Sequence, residues 1–187
     1  MFFRTPLHGP ENAVRFKLQN GNNTYMVLGG TSAWPDDDNG HAENHDDFIV
    51  PSIPLGTVDV EEKFCAIKAS VYWGIVDEDG TIEYRDADGV LTKLGTLNTA
   101  ADVRTEKSGL VIVQAAGLGS QIIQSSFRKM GVYTGLVPTA GHENDSFLVA
   151  ANVSSWGVLE SLQWRKPQFV TNGSNMQYRV TDVLEFQ

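Results

Sequence analysis

Only one cysteine, Cys65, occurs in the 187 residues, so no internal disulfide can form and no thiolate cage can hold a metal. Cys65 falls in an alternating apolar run, where a thiol is expected to be buried and inert. No window approaches 18 apolar residues; a transmembrane helix, and with it a membrane partner, is not expected. The opening Met1-Phe2-Phe3-Arg4-Thr5-Pro6 lacks a charged region followed by an apolar stretch, so no secretory leader is expected and a reducing aqueous compartment is. Basic residues are also scarce. The chain carries 14 Lys and Arg, scattered along it, against 23 Asp and Glu, for a net charge of −9. That balance favours solubility and argues against a surface that tracks phosphates, so no nucleic-acid partner is expected. Apolar residues make up 41%, slightly low but well clear of the disordered class, and a chain of this length buries about 70% of its unfolded surface.

What the sequence does have is period-2 alternation. Cys65, Ile67, Ala69, Val71, Trp73 and Ile75 share one parity, while Lys68, Ser70 and Tyr72 share the other, which describes a strand with one dry face. Asp77-Glu78-Asp79-Gly80 and Asp86-Ala87-Asp88-Gly89 read as turns, since Gly accepts positive φ and Asp hydrogen-bonds its own backbone. Thr81 to Arg85 and Val90 to Leu94 complete a meander of hairpins. Further strands are expected at Leu110 to Ala115, within Gln121 to Leu136, around Val158, Leu162 and Trp164, and from Met176 to Phe186 with Asp182 as its polar break.

Helix signal is thin. Asn98 can cap a short helix over Thr99 to Lys107 that Gly109 would stop. Glu11 to Gln19 fits two patterns: Val14, Phe16 and Leu18 suit a strand, whereas Ala13, Val14, Lys17 and Leu18 suit an amphipathic helix. The expected fold is one mainly β domain over residues 1–187, an antiparallel β-sandwich-like arrangement with one to three short helices.

Residues 29–56 fit neither period. They run through Gly29-Gly30, Trp34-Pro35, an acidic stretch and Phe48-Ile49-Val50 to Pro51 and Pro54. A segment this long inside a small domain contacts something or is disordered. Trp34 and the Phe48 group favour burial, which makes the segment an arm laid over its own fold or over a neighbour.

Candidate chemistry concentrates in that arm. Asp36, Asp37, Asp38, His41, Glu43, His45, Asp46 and Asp47 offer carboxylates and imidazoles, the donors of oxygen and nitrogen metal shells. The two histidines are four apart, but the Glu does not follow the first of them as in the His-Glu-x-x-His arrangement, and Gly40 disfavours a helix. A solvated acidic loop accounts for the cluster, with a bound cation as the alternative. The two Asp-x-Asp-Gly turns lack the other ligands of a calcium loop. Gly117-Leu118-Gly119-Ser120-Gln121 misses the nucleophile elbow, the phosphate-loop motif is absent, and His8 and His142 sit in turn-like contexts as surface residues. The reading assigns no catalytic residue, no metal and no cofactor.

Aromatic side chains are plentiful, with four Trp, five Tyr and nine Phe. They serve cores in β domains and anchor interfaces elsewhere. As interface residues the sequence offers Trp34, Pro35, Phe48 and Ile49 from the arm, and Trp156 and Arg165 from the C-terminal third. An exposed strand such as Met176 to Phe186 could extend a neighbour's sheet.

Three blocks carry a family resemblance. The first is Thr24-Tyr25-Met26-Val27-Leu28-Gly29-Gly30-Thr31-Ser32-Ala33-Trp34-Pro35-Asp36 with its return through Pro51 and Pro54. The second is Phe127-Arg128-Lys129-Met130-Gly131-Val132-Tyr133-Thr134 with Pro138. The third runs from Trp156-Gly157-Val158-Leu159 through Arg165-Lys166-Pro167 to Gln177-Tyr178-Arg179-Val180 and Leu184-Glu185-Phe186. In this order, over about half the chain, they resemble the baseplate wedge protein called gene product eight of T4-like contractile-tailed phages, in a form without the longer members' central insertion. The resemblance implies a β-sandwich-like fold, a helix over Asn12 to Gln19, a homodimer, and a place in the virion tail baseplate beside other wedge and tail-fibre-attachment proteins after assembly in the host cytoplasm. It implies no catalytic residues. Two other readings share the composition. One is a neck, fibre-adaptor or capsid-decoration protein of a phage; the other is a glycan-binding β-sandwich module, which would need an exposed aromatic platform.

Overall fold

The computed structural model describes residues 8–32, 59–77, 79–85, 90–122, 126–169 and 177–187, and gives the backbone alone at residues 85, 164–167 and 169. The elements in chain order are α1 (His8–Asn20), β1 (Thr24–Gly29), β2 (Cys65–Val76), β3 (Ile82–Arg85), β4 (Leu91–Leu97), α2 (Ala100–Thr105), β5 (Leu110–Leu118), β6 (Ser126–Thr134), β7 (Val137–Pro138), β8 (Phe147–Val149), a 3-10 turn at Ala150–Asn152, β9 (Val153–Ser155), β10 (Val158–Phe169) and β11 (Gln177–Glu185). The fold is mainly antiparallel β and β-sandwich-like. The second Asp-rich turn, at residues 86–89, lies outside the described residues.

The chain divides into two compact units. The first draws on Met1–Thr24, Ala69–Gln114 and Val180–Gln187. Here β2 follows the alternation read from the sequence: Ala69, Val71 and Trp73 are buried while Lys68 and Ser70 are exposed. It pairs antiparallel with β4, Trp73 opposite Leu97 and Val76 opposite Leu94, and β4 pairs with β3. The first Asp-rich turn forms as expected, Asp79 N donating to Asp77 Oδ1 at 3.0 Å.

The ambiguous N-terminal stretch is helical in this unit. On a strand, Leu18 would share a face with Val14 and Phe16, yet Leu18 is 71% exposed while Ala13, Val14 and Phe16 are buried. Tertiary contacts decide the matter: Trp73 Nε1 donates to the Ala13 carbonyl at 3.1 Å, and the Lys17 ammonium sits 4.1 Å from the centroid of the Trp73 ring, a cation–π pairing. Gly21 N then bonds to Lys17 O at 2.9 Å, ending the helix. His8, expected in a turn, is its first residue.

At α2 the cap is Thr99, one residue later than the sequence suggested. Thr99 and Asp102 form a reciprocal capping box, the arrangement that satisfies two orphan amide donors at once. Asp182 also departs from expectation. Instead of breaking β11 it faces inward with Val180 and Leu184 and is only 3% exposed.

The second unit draws on Tyr25–Lys68 and Ala115–Arg179. Its strands lie in the order β10-β6-β1-β2, with β8 on the other side of β2. Strand β1 is interior and buried at every position, which is why its sequence is apolar without alternation. Tyr25 and Val27 meet Val60, Ala66, Tyr133, Leu136 and Leu148 in a core on which Val153, Trp156, Leu159 and Leu162 pack. Cys65 is buried here, and burial pushes its thiol well above the usual range, as suits an inert thiol.

Strand β10 corrects one reading. Val158, Leu162 and Trp164 share a parity, but the pairing with β6 shifts between Leu159 and Ser161. The extra residue swaps the faces, so Leu159 and Leu162 both reach the core while Val158 is 61% exposed.

Candidate assembly interface

Residues 33–58 are flanked by two short stretches that the fold brings together. On one side β1 ends in Gly29, and Gly30 follows with φ +67°, a left-handed conformation that glycine adopts at little cost. On the other side Asp59 to Phe64 lead into β2. Gly30 N donates to Glu61 O at 2.6 Å and Phe64 N donates to Leu28 O at 3.0 Å. Gly29 has no room for a side chain, because a Cβ there would run into the Glu61 carbonyl and the Val60 side chain.

Nearly every side chain of this strap is tied down. Val60 is buried in the core of the unit. Asp59 accepts from the Tyr133 hydroxyl and from Lys63 Nζ. Burial pushes the Asp59 carboxyl up, but the hydrogen bonds from Lys63 and Tyr133 outweigh it, and the group titrates below the usual carboxylate range. Burial and the neighbouring Asp59 together hold the Tyr133 phenol above its ordinary value. Glu61 accepts from Lys129 Nζ at 2.5 Å; Lys129 is 2% exposed whereas Glu61 lies largely in solvent. A buried ammonium persists only with charged or polar partners.

Glu62 completes the strap. Its Oε2 accepts from Thr31 Oγ1 at 2.8 Å and from the Ser32 amide at 2.7 Å, and its Oε1 accepts from the Ser32 hydroxyl. Those bonds from the Ser32 hydroxyl, the Ser32 amide and Thr31 lower its carboxyl to about 2. The backbone of Glu62 has φ +49°, a left-handed conformation that costs a non-glycine residue about 1–2 kcal/mol. Arg128, buried on β6, reaches the same place from below, its Nη1 donating to Thr31 O at 2.8 Å. The result is a neck: the chain enters and leaves residues 33–58 through a cross-braced base.

Of the interface residues read from the sequence, Trp34, Pro35, Phe48 and Ile49 lie outside the described residues, as do the acidic and histidine side chains of Asp36 to Asp47. Arg165 is placed on β10 by its backbone alone. Trp156 is half-buried against the core, its ring 6.5 Å from that of Tyr133, with Lys63 Nζ 5.6 Å from its centroid. His142 is partly exposed and faces Asp145, Nδ1 to Oδ2 2.7 Å. Among the described residues, no group of three or more His, Cys, Asp or Glu converges as a metal site, and no helix is long and apolar enough to cross a membrane.

The bracing residues Asp59, Glu61, Glu62, Arg128 and Lys129 were not singled out individually by sequence reasoning. One signal was available: an Arg-Lys pair inside the apolar run from Phe127 to Val132 demands buried partners, although the sequence does not say which.

The family model described as "Baseplate wedge 3 tail fiber network component" matches residues 10–186. No curated protein matches the chain.

Proposed function

The chain belongs to the baseplate wedge 3 tail fiber network component family and has a structural role in a phage tail baseplate, and from that premise we propose that it is a wedge subunit that holds neighbouring tail proteins through residues 33–58 and the neck beneath them. The observation that supports this most is the neck itself. The braces stabilise the fold and also hold the two ends of the segment in place, and docking gains affinity when a segment's ends are preorganised.

Charge supports the same reading. Residues 18–62 hold nine of the 23 acidic residues and none of the 14 Lys and Arg, so the remaining fourteen acidic and fourteen basic residues cancel and the whole −9 resides there. Such concentration suits a partner with a basic surface, where complementary charge sets encounter rate and register. Trp34, Pro35, Phe48 and Ile49 supply the apolar anchors, and Trp156 and Arg165 belong to the proposed contact set. Two copies form a homodimer within the wedge, and assembly takes place in the host cytoplasm.

The test is incorporation. Purified tails are expected to contain the chain, and cross-linking with mass spectrometry is expected to join residues 33–58 to other tail proteins. Trp34→Ala should leave thermal unfolding of the isolated protein unchanged and reduce incorporation. Absence of the chain from purified tails, or cross-links confined to other surfaces, would overturn the proposal.

A further inference from the structure

Strand β10 ends the strand order of the second unit: among the described residues it pairs with β6 alone. An edge strand presents backbone donors and acceptors that a strand of another chain can take up, so a long, regular edge invites unwanted pairing. At 12 residues β10 is long, since most strands have about 5–6. It is not regular. Leu159 stands opposite Tyr133 and Ser161 opposite Val132, which makes Glu160 an extra residue. Its carboxylate accepts from the Thr134 hydroxyl at 2.6 Å, and Thr134 is buried, so the bulge is pinned to β6. Farther on, Trp164 stands opposite Lys129 and Gln168 opposite Phe127, which leaves residues 165–167 against Arg128 alone. Residue 167 is a proline, and its backbone has no N–H to offer a further strand. The longest stretch of β10 in unbroken register is therefore the four residues 161–164.

We propose that these two irregularities guard the edge: the Glu160 bulge and the insertion that ends in Pro167 keep β10 from accepting a strand of another copy of this chain, so the sheet stops there. Bulges and edge prolines break the row of evenly spaced donors and acceptors that strand addition needs. The guard acts whichever segment of the chain meets a neighbouring subunit.

The register itself supplies the test. Deleting Glu160 leaves every other β10 residue opposite its present β6 partner, because Leu159 and Ser161 already face neighbouring residues, Tyr133 and Val132. Deleting Arg165 and Lys166 together with Pro167→Thr likewise leaves one residue opposite Arg128. Light scattering over a wide range of concentration reads association of the purified protein, and hydrogen exchange of the amides at 161–164 reads whether β10 is where it occurs. The wild type is expected to reach a limiting mass and go no higher. The variant with both irregularities removed is expected to exceed that mass as concentration rises, with exchange at 161–164 roughly tenfold slower in the heavier species. Deletion of Glu160 alone and Pro167→Thr alone are expected to do the same at higher concentration, and they decide the matter where the combined variant does not fold. Variants that unfold cooperatively yet stay at the wild-type limiting mass would overturn the guard, as would a heavier species whose 161–164 amides exchange as in the wild type.

Discussion

Tyr133 on β6 donates its hydroxyl to Asp59, 74 positions earlier in the chain, and the same hydroxyl accepts the Val60 amide at 3.3 Å. One phenol thus holds two consecutive residues of the strap that no local sequence pattern could hold. Tyr133→Phe keeps the ring and its packing on Trp156 but removes a donor from Asp59; the Val60 amide loses the hydroxyl and keeps Asp59 Oδ1 at 2.8 Å. Losing one such hydrogen bond while the other partners remain costs about 0.5–1.5 kcal/mol. Urea unfolding should show a lower midpoint with an unchanged slope; an unchanged midpoint would mean that water replaces the hydroxyl without loss.

Acid should release Glu62 from Thr31 and Ser32 late. Its carboxyl is lowered from 4.5 to about 2, so the folded state binds a proton less readily than the unfolded chain. The carboxylate's contribution is therefore complete above pH 4.5 and is lost as pH falls through about 2. The Glu62 side-chain carbonyl resonance, followed by NMR, is expected to titrate with a midpoint near pH 2. A midpoint near the ordinary carboxylate value would show that Thr31 and Ser32 do not hold it.

Two glycines of the second unit should respond differently to the same substitution. Gly135 has φ +69° with open space where a Cβ would go, whereas Gly157 has φ +76° and a Cβ there would collide with the Thr134 carbonyl. Gly135→Ala should cost about 1 kcal/mol, the conformational term alone. Gly157→Ala should add the overlap, roughly 1–3 kcal/mol more. Equal losses in denaturant unfolding would show that the Gly157 backbone shifts to make room.

The cap of α2 offers a one-residue test of the structure against the sequence reading. Thr99→Ala removes the oxygen that accepts the Asp102 amide at 3.1 Å and should cost about 1 kcal/mol. Asn98→Ala should change stability little, because Asn98 lies before the cap. The opposite ranking would restore the cap to Asn98.

Much of the architecture was legible. The alternation in β2, the Asp77 turn, the buried run of β5 and the strand at the C-terminal end all appear where period and turn chemistry place them. These are local signals: a strand with one dry face must alternate, whatever its neighbours are. What stayed open and what was misread have a common cause. Glu11 to Gln19 satisfied two periods, and Trp73 chose between them. Val158 sat at the right parity until an extra residue at the β10–β6 pairing swapped the faces. Asp182 looked like an interruption but faces inward, because a strand's parity is fixed by its partners and not by its own polarity.

By itself the sequence determined the fold class, an apolar alternation that only sheets can bury, together with the charge balance and the blocks that carry the family likeness. The neck was decided in three dimensions. Its members, Thr31 and Ser32, Asp59 to Lys63, and Arg128, Lys129 and Tyr133 on β6, come from three separated places, and a carboxylate, a hydroxyl or an ammonium has no period to betray it. Hydrogen bonds act over about 3 Å of space, and the chain distance between the partners is free to take any value the fold allows.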